Sequence, residues 1–168
     1  MFGEVAAEKL KIGFPEVVGD VAVSGEQVVV FVKGEGNVDV CRFLHDSDDL
    51  ACEYLSDITA VDLLESEPRM QVVYHLYSFK NNDWLRLKVP VYSDGLQVPS
   101  VMGIWRGANW LEREVFDMFG ITFAGHPDLR RILMPDDWDG HSLTKDYPLL
   151  GNKEETVLLF ENATDVLE

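Results

Sequence analysis

The sequence predicts an α+β fold: a mixed or antiparallel sheet covered by helices, in the rough order α-β-β-α-β-β-β-α, followed by an extended C-terminal arm. Three observations predict it. Apolar residues recur at three- and four-residue spacing near the N-terminus and again from Ala108 to Phe119. Five runs between them are β-branched and bounded by turn residues. After Phe123 the periodicity stops although large apolar residues continue. With 168 residues, 46% hydrophobic and 11% aromatic, the chain is long and apolar enough for one core. The expected division is a scaffold domain over 1–123 and an arm over 124–168.

Phe2, Val5, Ala6, Lys9 and Leu10 mark a first helix, with Gly13 available to end it and Pro15 to prevent its return. Val21 to Ser24 and Gln27 to Lys33 flank Gly25-Glu26 as a hairpin, closed by Gly34-Glu35-Gly36. From Asn37 to Ser56, Val40, Phe43, Leu44, Leu50, Cys52 and Leu55 keep helical spacing, so one broken helix or two short ones are expected, the second capped by Ser47 or Asp48. Strands follow at Ile58 to Leu64, Met70 to Phe79 and Trp84 to Tyr92, the last two joined by a tight turn at Asn81-Asn82-Asp83. Both alternating sets of the Met70 to Phe79 run are bulky, which predicts a central strand. Ala108 to Phe119 is the last clear helix, closed by Gly120. On it Leu111, Val115, Met118 and Phe119 share a stripe, and Arg113 and Asp117, four apart, are placed to pair.

Between Ala124 and about Lys153, Pro127, Pro135 and Pro148 break any regular element, yet Leu133, Met134, Trp138, Tyr147, Leu149 and Leu150 need burial. A partner protein is the economical inference. Charge agrees: the formal net is −16, but residues 84–131 hold six cations against five anions, and arginine among aromatics is typical of interface cores. The acidity disfavours nucleic acid and anionic membrane surfaces. Val28 to Val32 is the longest apolar run, far short of the roughly 20 residues that span a bilayer, so a soluble, unprocessed chain is expected. Cys41 and Cys52, the only cysteines, form no ligand-spaced pair and read as buried hydrophobes in a reducing cytosol.

Chemistry-bearing residues are sparse. Glu112 and Glu114 resemble an acid and base pair, but two residues apart on a helix they point roughly 200° apart. Arg113 between them favours ionised carboxylates, and a salt network is expected rather than catalysis. His45, His75, His126 and His141 show no metal-ligand spacing. Gly34-Glu35-Gly36 lacks the third glycine of a dinucleotide fingerprint. Trp105, Trp110, Phe116, Phe119 and Phe123, at helical spacing, are expected in the core. A free-standing enzyme using Glu112, Glu114 or His126 is the remote alternative.

Trp110-Leu111-Glu112-Arg113-Glu114-Val115-Phe116-Asp117-Met118-Phe119-Gly120-Ile121, followed by His126-Pro127-Asp128-Leu129-Arg130-Arg131-Ile132-Leu133, resembles the signature of the C-type subunit of respiratory complex I. This is the thirty-kilodalton-type subunit of proton-pumping NADH:quinone oxidoreductase. The resemblance extends to Asp57 to Asp62, Val72 to Ser78, Leu85 to Val89 and Asp146 to Leu149, about residues 50–150 in all.

The resemblance implies a non-catalytic scaffold in the peripheral arm, with an α+β domain and a C-terminal extension wrapped on a D-type subunit that helps form the quinone cavity. No cofactor is implied in this chain, FMN and iron–sulfur clusters being expected in partner subunits. The implied location is peripheral, on the cytoplasmic side of the inner membrane. Glu112, Arg113, Glu114, Asp117, His126, Arg130 and Arg131 are signature positions, assigned with Trp110, Lys145, Asp146 and Tyr147 to the helix-to-arm junction and its interface with a neighbouring chain. Ser142 and Thr144 stand where the family commonly shows proline and arginine, and Lys145 replaces the charge without the planar fork. The equivalent subunit of a membrane-bound hydrogenase or a ferredoxin-linked quinone oxidoreductase is the alternative.

Overall fold

The computed structural model describes residues 2–25, 27–92, 95–149 and 151. Helix α1 (Phe2–Gly13) leads into a hairpin of β1 (Val18–Ser24) and β2 (Gln27–Val32). A 3-10 turn at Gly34–Gly36 feeds α2 (Asn37–Asp46). Strands β3 (Tyr54–Asp62), β4 (Met70–Ser78) and β5 (Asp83–Val91) follow, then β6 (Gln97–Pro99), α3 (Ala108–Phe119) and β7 (Thr122–Ala124). The main sheet has the order β1-β2-β5-β4-β3, antiparallel except where β2 runs parallel to β5. The short β6 and β7, not foreseen in the sequence, pair in parallel and tie the start and end of the α3 region together.

Helix α2 corrects one expectation. Leu50 and Cys52 continue its apolar spacing and are fully buried, but the chain turns at Ser47, whose N–H still bonds to the Phe43 carbonyl. The backbone of Ala51 has φ +42, which no helix continues, and Leu55 already belongs to β3. Here burial at the sheet end, not a helical face, sets the spacing.

Helices α1, α2 and α3 lie on one face of the main sheet. Ala6, Ala7 and Leu10 of α1, Val40, Cys41 and Leu44 of α2, and Ala108, Val115 and Met118 of α3 join Val30, Leu87, Tyr74 and Ile58 in one core. Strand β4 is flanked on both sides as expected, but its second bulky face, Val73, His75 and Tyr77, carries no helix among the described residues. Cys41 and Cys52 are buried, and burial pushes the Cys52 thiol up to about 12, so neither is poised as a nucleophile. Among the described residues no helix is long and apolar enough to cross a membrane.

Close approach of α2 to the chain before β1 depends on Gly36, where an added Cβ would overlap the Val17 side chain. Gly36→Ala should therefore destabilise the domain by about 1–3 kcal/mol through overpacking, read as a lower urea midpoint at unchanged m-value.

Candidate functional site

Helix α3 begins after Gly107 and ends on Gly120, whose φ of +78 supplies the left-handed C-cap and whose N–H bonds to the Phe116 carbonyl. It is buried on two sides. Toward the sheet, Glu112 has no exposed surface and sits in the row Ala108, Glu112, Val115, Phe119. Ser100 Oγ donates to its Oε2 at 2.6 Å and the Val101 N–H to its Oε1 at 2.7 Å. Burial pushes this carboxyl up to about 7 against the pull of those two donors. The expectation that Arg113 would keep it an ordinary ionised acid is thus corrected. Arg113 turns its guanidinium away, to the carbonyls of Arg130 and Arg131 at 3.1 Å each.

Away from the sheet, Asp117 is equally buried. Its Oδ2 accepts the N–H groups of Ile132, Leu133 and Met134 at 3.0, 2.8 and 2.9 Å, and its Oδ1 accepts Arg131 Nη1 at 2.7 Å. Burial pushes the Asp117 carboxyl up, but these four donors outweigh it and hold the group below the usual carboxylate range. The expected Arg113–Asp117 pair is replaced: each side chain reaches past its helical neighbour to the segment after β7. Arg131 also donates through Nη2 to the carbonyls of Trp138 and Gly140 at 3.0 and 3.1 Å. His141 lies over Gly120, where a Cβ would come within 2.7 Å of its ring, and bonds through Nδ1 to the Asp117 carbonyl.

A second anchor lies at the end of the sheet. Buried Asp62 takes Arg69 Nε and Nη2 at 3.0 and 2.8 Å and the Lys145 N–H at 2.8 Å. Arg69 holds the Asp62 carboxyl well below its ordinary range, and the same guanidinium bonds to Asp146. Residues 125–149 are therefore bound to their own domain at the Asp117 and Asp62 ends. A cleft of about 450 Å³ remains between the anchors, lined by Arg69, Phe119, Gly120, His141, Asp146 and Tyr147.

The other expected residues fall around these anchors. His126 Nε2 donates to the Asn109 carbonyl and its Nδ1 accepts the Asp128 N–H. Arg130 is exposed and pairs with Asp128 at 3.0 Å. Tyr147 stacks on Trp138, whose Nε1 donates to Ser142 Oγ, and both rings are half-buried. Trp110 leaves the expected core: it is 61% exposed, with the Arg113 guanidinium 5.1 Å from its ring centre. Glu114 is exposed on the opposite side from Glu112. Glu112, Glu114 and His126 do not converge, and among the described residues no cluster of three or more His, Cys, Asp and Glu is placed to hold a metal ion. Leu150 and residues 152–168 of the expected arm, with Asp94 of the charge count, lie outside the described residues.

Arg69 and Asn37 were missed in the sequence. Asn37 is fully buried and donates to Tyr74 Oη and the Pro99 carbonyl. Arg69 stands seven residues after Asp62, across the β3–β4 connection, a spacing that no helical or strand rule pairs, and its other partner, Asp146, is 77 residues away. For Glu112 a signal existed, since its four- and three-residue spacing to Ala108 and Val115 puts it on the buried stripe.

These features define a class: an α+β domain whose last helix uses buried acids to fasten both its core and an irregular C-terminal segment. The chain belongs to the family of the respiratory-chain NADH dehydrogenase 30 kDa subunit, whose profile matches residues 30–153. It is 48% identical to the C-type subunit of the NADH-quinone oxidoreductase of Roseiflexus sp. (strain RS-1) over 153 residues, 91% of this chain and 87% of that one. With the same subunit of the Geobacter metallireducens enzyme, identity is 50% over 151 residues, 89% and 92% of the two chains. Among solved structures, a trypsin-resistant fragment (1–134) of Nqo5 superposes with a TM-score of 0.63 at 29% identity, covering 77% of this chain and all of the fragment. A chain of the membrane-bound sulfane sulfur reductase, an archaeal respiratory membrane complex, shares the fold with a TM-score of 0.76 at 22% identity, covering all of this chain and 94% of that one.

Two outcomes follow from the geometry. Asp117→Ala leaves Arg131 and three amides without their acceptor, so it should cost about 3–5 kcal/mol and open the Arg130 and Arg131 bonds to trypsin while α3 stays helical. Limited proteolysis with denaturant unfolding checks both. For Glu112 the folded value, about 7, lies above the ordinary 4.5. The folded chain therefore binds more protons between these pH values, and its stability relative to Glu112→Gln should fall as pH rises through that window, by about 3 kcal/mol in all. Urea titrations of both chains from pH 4 to 8 measure that difference.

Proposed function

We propose that this chain is a non-catalytic scaffold subunit in the peripheral arm of an NADH:quinone oxidoreductase. On this reading, electrons pass from NADH to quinone over FMN and iron–sulfur clusters held by other subunits. This chain holds a D-type subunit of the quinone cavity in position, on the cytoplasmic side of the membrane. Family membership supports the complex, and the direction of the signature side chains supports the role.

The observation that carries the reading is where those side chains go. Glu112, Arg113, Asp117 and Arg131 bond to backbone of this same chain, to Ser100 or, for Asp117 and Arg131, to each other, so they shape a surface instead of meeting a substrate. On the segment they shape, Leu133, Leu143 and Leu149 are exposed, as is Trp110 beside it, and Leu149 is wholly so. An ordered segment that displays large apolar groups fits a partner surface, and Trp110 with Arg113 has the composition of an interface anchor.

Assembly tests this. Removing residues 124–168 should abolish co-purification with the other peripheral-arm subunits. Trp110→Ala, which leaves the core intact, should lower recovery of the complex about tenfold. Arg113→Ala should reduce the yield of assembled complex before it alters NADH:quinone turnover per assembled particle. Normal assembly of the truncated chain, or loss of turnover in fully assembled complex, contradicts the scaffold role.

A further inference from the structure

The face of the main sheet that no helix of the described residues covers has the composition of a binding surface. An antiparallel face turned to water ordinarily alternates to polar residues. Here the register sets out lateral rows that do not. Tyr54, Tyr77 and Trp84 form one row, and Phe79 lies against it, with ring centres 4.8 to 5.7 Å apart through Tyr54–Phe79, Tyr77–Phe79 and Tyr77–Trp84. Asp57, His75, Arg86 and Val29 form the next, and Thr59, Val73, Lys88 and Phe31 the third. Val29 and Val73 are already buried by their neighbours, whereas Phe79 is 65% and Trp84 37% exposed. Contiguous exposed aromatics of this kind mark interaction sites rather than scattered surface residues.

Charge narrows the occupant. In a chain of net charge −16, the register-assigned positions of this face carry Arg86 and Lys88 against Asp57 alone. Burial and the Arg86 charge lower the proton affinity of His75, so it adds no cation near neutral pH. The Lys88 ammonium lies 5.8 Å from the centre of the Phe31 ring, and among the described residues no carboxylate forms an ion pair with it. Arg86 donates one Nη2 bond to Gln27, but its Nε, closed off from solvent, has no acceptor among the described residues. Beside it opens a cleft of about 380 Å³, lined by Gln27, Ser56, Asp57, His75, Trp84 and Arg86. A second copy of this chain meets the face less well, because a two-fold contact brings two copies of a patch with two cations and one anion together, an excess of like charge. Anionic lipid is repelled by the charge of the whole chain.

We infer that this open sheet face docks a second protein subunit, one that presents apolar side chains to the Tyr54–Tyr77–Trp84 row and a carboxylate to Arg86 and Lys88. The chain is then a bridge, held by α3 and the C-terminal segment on one side and by the bare sheet on the other. The inference goes beyond the scaffold reading by adding a separate surface, and rests on it only in taking the occupant from the same complex.

Hydroxyl-radical footprinting of the purified complex against the isolated full chain reads the surface directly. Labelling of Tyr54, Phe79 and Trp84 should slow about fivefold in the complex. A carbodiimide should couple Lys88 to an Asp or Glu of another subunit. Arg86→Glu should lower that subunit's recovery about tenfold, and Arg86→Lys should restore most of it. Equal labelling of the three rings in a normally assembled complex overturns this inference alone. So do Lys88 cross-links confined to residues 152–168 of this chain or to a second copy, and so does protection of the isolated chain by anionic phospholipid vesicles. Failure of the chain to enter any complex overturns the scaffold reading and this inference with it. If Arg86→Glu does not fold, footprint and cross-link on the unaltered chain decide.

Discussion

The buried carboxylate of Asp117 is the contact on which the path of the irregular segment after β7 depends. It lies in the last turn of α3, where the helix dipole disfavours a negative charge, and it has no exposed surface. Three consecutive backbone N–H groups and the Arg131 guanidinium make it tolerable there. The arrangement is reciprocal. The carboxylate finds its charge compensated, and residues 132–134, which belong to no helix or strand, find acceptors for amides that would otherwise need water. Arg131 carries the constraint onward to the Trp138 and Gly140 carbonyls, so one acid fixes a segment that contains no regular element of its own.

The same helix holds a second buried acid with the opposite proton preference. Glu112 meets one hydroxyl and one amide where Asp117 meets three amides and a cation, so burial dominates at Glu112 and hydrogen bonding at Asp117. Neither arrangement resembles a general acid and base working on one substrate, because they face different neighbours across α3. Together they make the helix a rivet: Glu112 ties it to the turn after β6, Asp117 ties the irregular segment to it, and Gly120 leaves room for His141 to close over its end.

Elements whose apolar spacing is local were legible in the sequence. Helices α1 and α3, the β1–β2 hairpin and strands β4 and β5 follow from periodicity and turn residues within a residue or a few of their ends. The region after α2 was misread because Leu50, Cys52 and Leu55 keep a helical interval while serving a turn and a strand, and spacing alone does not distinguish the two. At the site, the triplet Glu112-Arg113-Glu114 and the pair Arg130-Arg131 stood out, but their partners did not. The i,i+4 rule pairs Arg113 with Asp117. In the structure, carbonyls and amides brought in by the chain reversal after β7 offer both a fuller hydrogen-bond set. Arg69 was hidden in a related way: Asp62 lies seven residues before it across the β3–β4 connection, an interval no local rule pairs, and the contact with Asp146 spans 77 residues.

The central claim is that residues 131–141 hold a fixed path on α3 through Asp117. Amide hydrogen exchange of the isolated full chain tests it most directly. The Ile132, Leu133 and Met134 amides should be protected to a degree comparable with α3 itself, despite lying outside any helix or strand. Exchange of these three amides at unstructured-chain rates, with α3 still protected, would contradict the account.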